Sequence, residues 1–254
     1  MGNATKANGE AYYAAFKRSM AKPNALITAA ACLLMPVFSG CDRAMLPGGA
    51  QEGTIEYALA FPDMDPNGLM TDMLPEKAVL SFNQDQQSFD LSAGMGMFKT
   101  SMLVNTPAQV VDYHMSVMGK NLVAAFKRRD LLTLNKTGPP LTMVKTMARD
   151  TIAGLPCKQA YLIYDQLDAP EVEVWYTEDL DQKNPNWYGP FSDIPGVLMR
   201  YEVVQHNIRM RMEATKVTLG PVDPLVFQKR PEHQEVSPEV FNGQLDEVLG
   251  VFTN

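Results

Sequence analysis

Few residues in this chain could carry chemistry. Histidine occurs at His114, His206 and His233, and cysteine at Cys32, Cys41 and Cys157. No histidine stands in an H-E-x-x-H frame, and the chain holds no G-x-S-x-G elbow, Walker loop or G-x-G-x-x-G turn. Cys157 has Lys158 beside it, a neighbour that lowers a thiol pKa. However, "GLPCKQAYLIYD" reads as a turn entering a strand, and no histidine can be placed next to the sulfur. The plainer reading is a small buried hydrophobe. "GMG" at 94–96 fits a bend or bulge in a sheet better than a phosphate cradle. Acids are plentiful, but nothing locates a catalytic pair. The expectation is a protein that is not an enzyme and holds no cofactor or metal.

The third type with chemical potential is methionine, present 17 times. Thioethers can hold soft metals, but no His-Met cluster accompanies them. They also fill irregular apolar space and adapt to varied ligands. From composition alone, core filling is favoured over a pliable apolar pocket.

Upstream, "ALITAAACLLMPVFSGCDR" is the most apolar stretch. From Ala25 to Phe38 only Thr28 and Pro36 interrupt it. Such a run makes about 21 Å of helix, short of the roughly 30 Å of bilayer hydrocarbon. Lys6, Lys17, Arg18 and Lys22 precede it, and Ser39-Gly40 follow it. A basic lead, a short apolar core and small residues read as a signal peptide over residues 1–40. Translation could start at Met1 or at Met20; from Met20 the signal has ordinary proportions, so residues 1–19 are expected to be dispensable. With Cys41 directly after Ser39-Gly40, the junction resembles a bacterial lipoprotein signal, with Phe38 where that signal usually has Leu. The resemblance implies a diacylated Cys41. "DRAMLPGGAQ" then reads as a short flexible tether over residues 41–51, since Pro47, Gly48 and Gly49 oppose regular structure.

Removing residues 1–40 takes Lys and Arg from 22 to 18 and Asp and Glu from 29 to 28, a formal charge of −10. No basic run remains to neutralise phosphates, so nucleic acid is not an expected partner. Cys157 would be the one cysteine without an assignment, leaving no intramolecular disulfide.

Period-two alternation dominates residues 52–254. "TIEYALAF" places Ile55, Tyr57, Leu59 and Phe61 on one face; "FKTSMLV" places Phe98, Met102 and Val104 opposite Lys99 and Ser101. In "EVEVWYT", Val172, Val174 and Tyr176 alternate with acids, and "VLMRYEV" sets Val197, Met199, Tyr201 and Val203 against Arg200 and Glu202. "IRMRME" sends Ile208, Met210 and Met212 inward against Arg209, Arg211 and Glu213. These are antiparallel strands with one wet face. Turn signals at Pro66-Asn67-Gly68, Gly138-Pro139-Pro140, Gly189-Pro190, Pro195-Gly196 and Gly220-Pro221 separate them. Two helices are expected. One covers about Pro107 to Met118. The other is capped by Ser237 with Pro238 at its first position, and carries Phe241, Leu245, Val248, Leu249 and Phe252 on one stripe. The fold class is mainly β, in a single domain from residue 52.

Three stretches resemble the GLPGLI-type envelope lipoproteins, a family of unassigned function. "MGMFKTSMLVNTPAQVVDYHMSVMGKN" is similar to its strand, helix and Gly-Lys pair. "IAGLPCKQA" matches I-A-G-x-x-C-K-x-A at Ile152, Ala153, Gly154, Cys157, Lys158 and Ala160. "VWYTEDL" followed by "YGPFSDIPGVLMRYEV" resembles its W-Y-T strand, Gly-Pro turn and signature, the last matched at Pro195 and Gly196. Residues 181–188 look like a longer loop than usual.

That family is akin to the LolA/LolB lipoprotein carriers. The resemblance implies a curved antiparallel sheet, a half-barrel with a helical lid over an apolar hollow. The inward positions Tyr57, Met102, Tyr176, Met199, Tyr201, Met210 and Met212 are then candidates to line a pocket for an acyl chain or lipid. The implied protein is anchored by Cys41 in a Gram-negative envelope, the outer membrane favoured over the inner, and holds an apolar ligand. The alternative is a structural or interaction subunit that docks on an envelope protein through a sheet edge or loop.

Overall fold

A computed structural model describes residues 52–65, 74–93, 96–131, 141–164, 171–205 and 208–250. The signal peptide, Cys41 and the tether lie outside the described residues, as do His206 and Phe252. Strands take up over half of what is described, and all twelve join one open, curved sheet. The mainly β reading holds.

The first six strands form a meander: β1 (Gly53–Ala60), β2 (Lys77–Phe82), β3 (Gln86–Ala93), β4 (Phe98–Asn105), β5 (Val110–Val117) and β6 (Lys120–Lys127). A second meander holds β7 (Leu141–Ile152), β8 (Leu155–Tyr164), β9 (Val172–Thr177), β10 (Val197–Gln205) and β11 (Ile208–Leu219). β11 pairs antiparallel with β1 and fuses the two, and the short β12 (Gln234–Glu235) runs parallel along β6. The edges are therefore β12 with β6 at one end and β7 at the other.

Register carries one face across the fusion. Tyr57 lies between Ala78 and Ala214, Phe89 opposite Met102, and Met102 opposite Tyr113. These side chains share the inner face, because alternate residues of paired strands point the same way. "IRMRME" behaves as its alternation says: Met212 is buried, while Arg209 and Arg211 pair with Glu202, and Glu213 with Arg200, on the outer face. β10 departs from strict alternation. A bulge at Met199 breaks the register between Leu198 and Arg200, so Leu198 and Met199 are both buried.

The helix expected over Pro107 to Met118 is not formed. Residues 106–109 turn, with Gln109 at φ 52°, and β5 follows from Val110. The physical reason is in the side chains. Val110, Val111 and Val117 are stiff at χ1 and favour strand, and Asp112, His114 and Ser116 alternate with Val111, Tyr113 and Met115. Met118 and Gly119, at φ 47° and 82°, make a two-residue turn into β6. The stretch is thus a hairpin rather than a strand and a helix.

The C-terminal helix α1 (Pro238–Leu249) forms as expected: Ser237 is the N-cap, its Oγ accepting from Val240 N, and Pro238 opens the first turn. Phe241 is buried against Phe126 and Tyr113, with Leu245 and Val248 packed beside it. None of the described helices is long and apolar enough to cross a membrane.

Candidate functional site

The candidate hollow is the inner face of the sheet, and it is occupied by the protein's own loop between β9 and β10. This loop rests first on the β2–β3 hairpin. Gln84 Nε2 donates to Asp181 Oδ2 at 3.0 Å, Lys183 N donates to Gln84 O at 3.1 Å, and Gln182 Nε2 donates to Asn83 O at 3.0 Å. Buried Gln87 then donates through Nε2 to Pro185 O at 2.9 Å and accepts from the Tyr188 hydroxyl at 3.2 Å. Trp187 Nε1 donates to Thr106 Oγ1 at 3.2 Å.

Trp187 and Tyr188 pack into the apolar cluster of β4, β5, β6 and α1, and Phe191 and Ile194 into that of β8, β9 and β10. The loop is therefore a plug that joins the two halves of the inner face. Asn186 braces it from within, its Nδ2 donating to the carbonyls of Ile194 and Gly196 at 2.9 Å each.

The seven pocket candidates are brought together on the inner face as part of this packing. Tyr57, Tyr176, Met199 and Met212 are buried; Met102, Tyr201 and Met210 are half-buried against the same clusters. The Tyr57 hydroxyl donates to Leu198 O at 2.7 Å, and its ring meets Phe89 at 6.0 Å and Tyr201 at 6.2 Å. Tyr201 in turn meets Phe191 of the plug edge-on at 5.6 Å. Burial, the leading cause, raises the pKa of Tyr57, Tyr201 and Tyr188 well above 10, so these phenols stay neutral.

Among the described residues, two cavities lie elsewhere. One is an open groove of about 590 Å³ between the β6 edge, β12 and α1, lined in part by Lys120, Glu232, Val240 and Gln244. The other is a recess of about 120 Å³ beside Cys157, walled by Arg149, Lys158 and Glu178. None of the seven candidates lines either.

Cys157 sits near the start of β8, buried as expected, with its Sγ 3.4 Å from Leu155 O. Burial raises its pKa and outweighs the opposing pull of the Ile152 backbone and Arg200. Lys158 is turned to an ion pair with Glu178. The nucleophile reading finds no support in this geometry.

Sequence reasoning missed the plug's aromatic residues; the one signal was the length of the loop at 181–188. It also missed a polar cluster on the outer face, where Arg230 reaches Asp90 and Ser101, and His233 reaches His114. A further feature was hidden. β7 is a twelve-residue edge strand, and Val144 and Met147 are exposed on it, Met147 to 88%.

No family model matches the chain, and no curated protein matches it. Solved structures do resemble it. PNGF-II is 16% identical, with a TM-score of 0.47 over 76% of this chain and 33% of that one. The MucA/MucB complex of Pseudomonas aeruginosa contains a chain 10% identical, with a TM-score of 0.33 over 73% and 58%. A beta-barrel-like protein of a domain of unknown function from Brucella abortus is 8% identical, with a TM-score of 0.34 over 68% and 99%. This chain spans about a third of the length of PNGF-II. At such identities the likenesses bear on fold class alone, and at TM-scores under 0.5 they carry no argument about what the protein does.

Proposed function

We propose that this is an envelope protein, anchored by lipid on Cys41, that acts by docking a protein segment and not by catalysis or by carrying an acyl chain. The observation that carries the reading is the occupancy of the inner face. Trp187, Tyr188 and Phe191 take the space that a ligand would need, and the hydrogen bonds of Tyr188 to Gln87 and of Trp187 to Thr106 hold the plug there. An apolar chain would have to displace this plug before gaining its own burial.

β7 offers what the hollow does not. Among the described residues no strand pairs with its outer edge; a bulge interrupts it between Lys145 and Arg149, where Arg149 Nη1 donates to Ala148 O, so the regular backbone for strand addition lies on either side of Met147. Lys145 and Arg149 are exposed along it, with Met147 between them. Two cations on one exposed edge repel the same edge of a second copy, which disfavours self-association. The partner that fits is an extended acidic segment with an apolar residue for Met147.

A photoreactive residue in place of Met147, in the full chain in cells, is expected to give a discrete adduct with one envelope protein. Lys145→Glu with Arg149→Glu should remove it, and a probe at exposed Leu225 should not reproduce it. If the probe at 147 yields no adduct while native mass spectrometry finds a bound acyl lipid at one per chain, the carrier reading is right and this one is not.

A further inference from the structure

The chain after β11 clasps one edge of the sheet from both sides. Residues 221–236 cross the outer face, β12 pairs with β6, and α1 then packs on the inner face. The crossing segment is held at three points. Lys229 Nζ lies 3.1 Å from Asp112 on β5, and Arg230 Nη2 lies 3.0 Å from Asp90 on β3 and 2.6 Å from Ser101 Oγ on β4. The third is a pair of buried histidines, His114 on β5 and His233 on the crossing segment, with their Nδ1 atoms 3.1 Å apart.

Hydrogen-bond logic assigns the protons. Leu122 O lies 3.1 Å from His233 Nδ1 and can only accept, so His233 Nδ1 carries a proton. His114 Nδ1 must then accept, which leaves its own proton on Nε2. That atom is buried and has no hydrogen-bond partner among the described residues. Ser116 Oγ lies 3.3 Å from His233 Nε2. The His114 ring, with a single proton, is neutral. A second proton on His114 would enter at Nδ1 and set two N–H groups against each other.

The charges around the pair add to this. Burial first, then His233, Arg230 and Lys229, bring the pKa of His114 from 6.5 to about 4, with Asp90 acting in the opposite sense. Asp112 and Glu235 are engaged by Lys229, and Glu232 stands 4.0 Å from His233 Nε2. A released His114 titrates near 6.5, so the released form takes up the extra proton first. Attachment is therefore complete above pH 6.5 and weakens as pH falls from 6.5 toward 4.

We propose that residues 224–236 are an acid-released strap: protonation of His114 at its contact with His233 detaches the strap from the outer face, lifts β12 from β6 and exposes that sheet edge. This device does not depend on β7 docking a partner.

The test is hydrogen exchange of the full chain from pH 7 to about pH 4.5, corrected for the intrinsic pH dependence of exchange. Protection of the strap and of β6 is expected to fall at least ~10-fold, as a pKa difference of more than one unit allows, while β8 and β9 keep theirs. His114→Leu leaves the Asp90–Arg230 pair in place and should hold the strap at acid pH. Unchanged strap protection in the wild type, or equal loss in His114→Leu, overturns the proposal. Should that variant not fold, imidazole NMR of the wild type decides: His114 titrating above pH 6 in the native state overturns it, and titration well below 6 supports it.

Discussion

At the scale of single residues, Cys157 and Gly196 show how local chemistry and tertiary surroundings divide the work. Cys157 next to Lys158 could have been an activated thiol, yet desolvation dominates its pKa and Lys158 pairs with Glu178. Thiol reagents of the size of a maleimide are therefore expected to modify Cys157 only after denaturant is added, which a mass-spectrometric time course would check; rapid labelling of the native protein would show the recess to be an open site. Gly196, one of two signature positions matched in the sequence, has a backbone reason. A Cβ there would collide with the Thr177 carbonyl, so the chain can pass β9 this closely only as glycine. Gly154 of the I-A-G match has a different one. With Ala153 it makes the two-residue turn between β7 and β8, at φ 48° and 84°.

Among the elements, the plug is the one whose strength can be tested apart from the sheet. Asn186→Ala removes both donors from the Ile194 and Gly196 carbonyls in a buried setting. Orphaned buried groups cost about 1–3 kcal/mol each, so a loss of roughly 2–4 kcal/mol is expected in denaturant unfolding. Trp187 should become more accessible to a fluorescence quencher in the same variant. A neutral result would mean that the loop is held by its aromatic side chains alone. The mistaken helix belongs to this scale as well. Residues 107–118 have polar and apolar side chains compatible with either period over so short a span, and the valines decide for the strand once β4 and β6 lie on both sides of it. The helix at 238–249 was legible because its cap and its stripe are both local signals.

For the whole molecule, the proposed lipid anchor would decide where the proposed docking edge works. The short apolar run and the Ser39-Gly40-Cys41 junction predict that radiolabelled palmitate enters the wild-type protein and not Cys41→Ser, with fractionation placing the wild type in the membrane pellet. Equal labelling of both would remove the anchor and the envelope assignment with it. Two chains on one cysteine hold a protein stably where one holds it only marginally, at ~10⁴ M⁻¹, so loss of acylation should be visible as release.

The alternation of β1, β4, β9 and β11 determined the mainly β class and which side chains turn inward, because a strand's two faces are set by neighbours in the chain. The same local logic determined the Ser237 cap and the burial of Cys157. What faces the inner surface is a different matter. Tyr57, Met199 and Met212 have the same pattern whether a ligand, solvent or another part of the chain lies against them, and only the tertiary structure brought Trp187, Tyr188 and Phe191 there. The strap over His114 and the open edge at β7 were likewise decided by long-range pairing. His114 and His233 are 119 residues apart, and nothing in either neighbourhood specifies that they meet.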